Sequence, residues 1–159
     1  MQEGVLTACF LALLIGIVAG LRTMTALAAA SWAAHLGRVD LSNTWLAFLG
    51  YSWTPWILTV FALVEFVTDQ LPSTPSRTVP VQFGARIVCG ALAGGSIGAS
   101  RGVFVGGVIA GIVGAIIGTF GGRAARGRLA AAFGSDSPAA FLEDAAAVGA
   151  ALLIVSSLP

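Results

Sequence analysis

Three stretches of this chain carry no charged residue: Gly4–Leu21, Leu41–Val64 and Gly102–Gly122. Coiled as helices at about 1.5 Å per residue, each approaches or exceeds the bilayer's hydrocarbon core of about 30 Å. Runs of this kind leave lipid as the solvent the chain is built for. Composition agrees, because 9% of the residues are charged and 57% hydrophobic, with a mean hydropathy of +0.94. A soluble domain carries about 25% charged residues to cover its surface. A soluble enzyme, a disordered chain and a nucleic-acid binder are thereby excluded, and a net charge of +1 points to no polyanionic partner.

Several features carry little. All eight basic residues are arginine, which GC-rich codon usage explains alongside the abundance of alanine and glycine. Cys9 and Cys89 lie in apolar segments, where cysteine acts as a small hydrophobe, and their spacing suits neither a disulfide framework nor a metal site. His35 is the only histidine, so no metal or other cofactor is expected. The start Met1-Gln2-Glu3 lacks the basic region of a cleaved signal, so the first apolar segment reads as a membrane anchor.

Counting crossings gives an all-α, polytopic transmembrane bundle of five spans: 4–21, 45–66, 81–99, 102–121 and 139–158. Trp45, Trp53 and Trp56 mark one end of the second span, and Pro55 implies either a kink there or a late start at Trp53. Residues 23–37 are too few to cross and form either an interfacial or a re-entrant helix ending near Gly37. The stretch 123–133 carries the same two readings. Residues 69–80, with three prolines, form a loop. Five spans put the termini on opposite faces, and the arginine count favours a cytoplasmic N-terminus in a bacterial inner membrane.

Setting 4–20 above 102–118 matches Gly4, Val5, Ala12, Gly16 and Gly20 with Gly102, Val103, Ala110, Gly114 and Gly118. The fourth span lies three crossings after the first, so the copies face opposite ways, which predicts an inverted-topology repeat within a single domain 1–159: repeat 1 about 4–72, a linking span 81–99 and repeat 2 about 102–158. Glycines at four-residue spacing, among them Gly16, Gly20, Gly114 and Gly118, predict close helix contacts.

Charges drawn into the membrane must find partners. Arg86, Glu65, Asp69, Glu143 and Asp144 are expected to cluster at one depth, with Arg86 pairing one of the four carboxylates. Arg22 ends the first span on the opposite side unless a re-entrant turn brings it inward. These six are the candidate ligand- or ion-path residues. Arg123, Arg126 and Arg128 read as headgroup-facing anchors. Two functions fit: a small secondary transporter or channel for an ion, small solute or lipid, or a non-transporting scaffold or assembly factor with structural charges. No catalytic residues are expected, because nothing pairs a nucleophile with a base. The expected partners are the lipid bilayer and, in a homo-oligomer, further copies of the chain.

The segments Gly20-Leu-Arg-Thr-Met-Thr25, Glu65-Phe-Val-Thr-Asp-Gln-Leu-Pro72, Ser76-Arg77 followed by Pro80, Phe83-Gly-Ala-Arg-Ile-Val-Cys-Gly-Ala-Leu-Ala-Gly94 and Glu143-Asp144 together resemble a bacterial family of small integral membrane proteins known as a domain of unknown function. The resemblance supports a membrane location and implies no chemistry.

Overall fold

The structure, a computed structural model, describes residues 2–69 and 78–158. Among these residues the protein is all-α and contains no strand. Its helices are α1 (Gln2–Leu21), α2 (Thr23–His35), α3 (Thr54–Thr68), α4 (Pro80–Ala99), α5 (Phe104–Phe133) and α6 (Asp136–Ser157), with a 3-10 helix at Trp45–Gly50. By length and apolar composition α1, α5 and α6 are able to cross a membrane. Most of the expected 69–80 loop lies outside the described residues.

The boundaries follow local chemistry. Pro55 stands in the first turn of α3, where its missing N–H is no loss, so the late start prevails over a kink. Gly37, at φ +74°, ends α2, and the Arg38 amide reaches back 2.9 Å to the Ala33 carbonyl. Gly134, at φ +69°, ends α5 in the same left-handed conformation. The stretch 123–133 is the last part of α5 itself, so neither the interfacial nor the re-entrant reading of it holds.

α5 is the spine of the bundle. A Cβ added at Gly94 would lie 2.8 Å from the Gly111 Cα, and one at Gly98 would lie 2.8 Å from the Gly107 Cα. The register runs oppositely along the two helices, so α4 is antiparallel to α5. On its other side α5 meets α1. Gly16 abuts the backbone of Gly111 and Gly114 that of Leu13, while Gly20 abuts Ala115 and Gly118 abuts Ile17. Such approach of bare backbones is how helices gain van der Waals contact in lipid, where no hydrophobic force drives them together. The four glycines expected at helix contacts are all there.

These contacts also correct the repeat. The register advances in the same direction on both helices, so α1 and α5 are parallel. The 98-residue shift that aligns the two segments also relates their contacts: Gly16 meets Gly111 as Gly114 meets Leu13. The matched segments therefore cross as a near-symmetric parallel pair, and the inverted-topology arrangement does not hold for them.

The cause is residues 23–37. They form a helix that Glu65 meets at its first turn and Trp56 and Thr59 meet at Trp32, so α2 and α3 are antiparallel. α2 descends beside α6, with Asp144 at the level of Arg22 and the Leu158 carbonyl accepting from Arg38 at 2.9 Å. Much of α2 is buried, from Thr23 to Ala33, so it is a bundle helix rather than an interfacial one. The chain therefore turns at Arg22, six helices alternate in direction, and its two ends lie at the same end of the bundle. The five-span count with opposed termini missed this turn. Exposed Trp45, Tyr51, Trp53 and Trp56 mark the end where the termini lie, as an aromatic belt does.

Candidate functional site

The α1–α2 turn is a break in a buried helical path. It exposes carbonyls at the end of α1 and amides at the start of α2, which inside a bilayer need partners from protein. Both sets are met by charged side chains. Arg86, on α4 and 2% exposed, donates from one guanidinium nitrogen to the carbonyls of Gly20 at 2.7 Å and Leu21 at 2.9 Å. Glu65, on α3, accepts from the amides of Thr23 and Met24 through its two oxygens, each at 2.8 Å. The cation thus sits at the negative end of one helix dipole and the anion at the positive end of the next.

Arg22 is the residue between the helices. Its extended backbone (φ −138°, ψ 106°) breaks the helix, and its side chain is 0% exposed. The guanidinium donates to Asp69 at the end of α3 and to Asp144 on α6, and it lies 5.7 Å from the centroid of the Phe66 ring. One planar cation thereby ties the turn to two other helices, a use that suits arginine's fork of donors. A second pairing lies beyond it. Arg126 donates to both oxygens of Asp136, at 2.9 and 2.6 Å, and faces Glu143 at 3.5 Å.

The six candidate residues therefore converge at one depth, but differently from the expectation. Arg22 is the centre of the cluster instead of lying across the membrane from it. The bonds from Arg86 described above go to main chain, while Asp69 and Asp144 are engaged by Arg22, Glu65 by α2 amides and Glu143 by Arg126. Arg126 is a member of the network and not a headgroup anchor, whereas Arg123 and Arg128 are exposed. Arg123 also donates to Thr78 at 3.3 Å.

The family model described as Domain of unknown function (DUF4126) matches residues 9–157. The chain belongs to this family. No curated protein and no solved structure matches it. In this DUF4126 member the match runs over every helix that contributes to the charge cluster. What sequence reasoning missed was that the chain turns at Arg22 and that Arg86 and Glu65 satisfy the open backbone of that turn. One signal for it was present: the residue before α2 is Arg22, where a Ser, Thr, Asp or Asn would cap the first amides.

Proposed function

We propose that this is a non-transporting integral membrane protein, a scaffold or assembly factor whose intramembrane charges are structural. The observation that supports this is how the charges are spent. Transporters built on broken helices aim the free helix ends at a substrate or ion. Here Arg86 and Glu65 occupy both ends, and Arg22 is held by two carboxylates. Catalysis forms no part of the proposal. We place the Arg123–Arg128 end in the cytoplasm, since exposed Arg123 and Arg128 and half-buried Arg126 lie there against Arg38 and Arg101 at the other end. Both termini then lie on the non-cytoplasmic side, which reverses the N-terminal expectation.

The rival, a carrier or channel for ions through the cluster, is separated by flux. Protein reconstituted in phosphatidylcholine–phosphatidylglycerol vesicles, with a pH-sensitive dye inside and imposed proton or potassium gradients, is expected to leak at the rate of protein-free vesicles. A flux that Asp144→Asn abolishes, in protein that stays folded, would replace the scaffold with a transport path.

A further inference from the structure

The connection between α2 and α3 folds over one end of the bundle and holds a cavity of about 690 Å³. Its walls are the end of α2 around Gly37, the stretch Val39–Ser42, and the 3-10 helix with Tyr51 just beyond it. These walls are fixed to the core. Val39 and Leu41 are buried in it, as are Leu46 and Leu49 of the 3-10 helix, and Ser31 of α2 donates to the Leu49 carbonyl. The cavity lies at the depth of lipid headgroups, because exposed Trp45 and Trp53 flank the 3-10 helix.

The lining mixes polar and apolar surface, and among the described residues that form it Asp40 alone is charged. Asp40 Oδ1 accepts from the Ser42 hydroxyl at 2.6 Å and from the Ser42 amide at 3.0 Å. These bonds hold the carboxyl below the usual carboxylate range, so it is an anion at neutral pH. One carboxylate is a poor seat for a divalent metal ion, which gathers about six oxygens. It suits a monovalent cation with N–H donors, whose charge-assisted bonds are strong. The Tyr51 ring in the same lining favours an organic cation, which an aromatic face attracts. Arg38, exposed and close by in the chain, spends one guanidinium nitrogen on the Leu158 carbonyl and has donors left for a phosphate.

We propose that this cavity takes the headgroup of a phosphatidylethanolamine, with the ammonium between the Asp40 carboxylate and the Tyr51 ring and the phosphate at Arg38. An acid, an aromatic ring and an arginine at headgroup depth match a zwitterion that carries a primary amine. Choline has no N–H for the carboxylate, and phosphatidylglycerol has no cation. The site does not depend on the scaffold reading.

Energy transfer from tryptophan to a dansyl group on the acyl chain of phosphatidylethanolamine reads binding to the protein in dodecylmaltoside micelles. Unlabelled phosphatidylethanolamine is expected to displace the probe best, its N-methyl and N,N-dimethyl forms progressively less well, and phosphatidylcholine and phosphatidylglycerol least. Asp40→Asn, which keeps an oxygen for Ser42, is expected to weaken binding about ten-fold, the weight of one charge-assisted hydrogen bond. Tyr51→Ala is expected to weaken it about three-fold and Tyr51→Phe, which keeps the ring, to retain it. Asp40 and Tyr51 are exposed, so all three variants are expected to melt as wild type does. The proposal is overturned if phosphatidylcholine or phosphatidylglycerol displaces the probe as well as phosphatidylethanolamine does, or if Asp40→Asn binds like wild type. Equal displacement by glycerophosphoethanolamine, the headgroup without acyl chains, would overturn it too, assigning the cavity to a soluble amine.

Discussion

Arg22→Ala is expected to lower the melting temperature of the detergent-purified protein by about 10 °C or more, taking about 2–4 °C per kcal/mol for a chain of this size. The guanidinium is fully buried, and it is what Asp69 and Asp144 share. Without it two carboxylates face each other in a low-dielectric setting, and breaking a buried pair by removing one partner costs about 3–5 kcal/mol. The loss arises from the stranded charges and not from the missing contacts alone. Arg22→Met combined with Asp69→Asn and Asp144→Asn strands no charge and is expected to recover most of the stability. Gel-filtration survival after heating reads both variants. An Arg22→Ala protein as stable as wild type would mean that Arg22 faces water.

Gly111→Leu is expected to abolish assembly of the bundle. A Cβ at this position would overlap the Gly90 backbone and lie 3.1 Å from the Gly94 Cα, and the Gly111 backbone is also what Gly16 of α1 rests against. These neighbours are main chain, which cannot rotate aside as a side chain can, so α4 or α1 must move off the α5 spine. Overpacking of soluble cores typically costs about 1–3 kcal/mol, and here two helix interfaces open together. Gly127 lies on the same helix with nothing within 4 Å of its Cβ position. Gly127→Ala is therefore expected to act oppositely, stabilising by up to about 1 kcal/mol through helix propensity. Melting curves of the two variants, measured side by side, check both signs. A Gly111→Leu protein that melts like wild type would place α5 away from its neighbours.

The apolar runs made α1 and α5 legible, because a bilayer-long stretch without charge has few other uses, while α4 and α6 were read by extending shorter apolar runs across Arg86 and across Glu143 and Asp144. Glycine spacing was equally readable, since small residues every four positions form a continuous helix face. The turn at Arg22 was not readable. One arginine closing an apolar run looks like a stop at the headgroups, and the fifteen residues 23–37 look too short to cross. What lets α2 be short is remote in sequence: Glu65 and Arg86 satisfy the broken backbone from other helices, so the turn need not reach water. The direction of the repeat failed with it, since one added helix changes the parity between α1 and α5. Five of the cluster's charges, Glu65, Asp69, Arg86, Glu143 and Asp144, were legible because they fall in or beside apolar spans. The pairings depended on which helix ends meet, and Arg22 and Arg126 were misplaced for that reason.

Labelling both chain ends tests the Arg22 turn most directly. With Cys9 and Cys89 replaced, single cysteines at Gly4 and Ser157 are exposed in sealed vesicles of one orientation to a membrane-impermeant maleimide. Six alternating helices predict that both positions react from the same face and are protected together when the vesicles are inverted. Reaction from opposite faces would mean that residues 23–35 do not run back along the bundle, and that Arg22 is not where the chain turns.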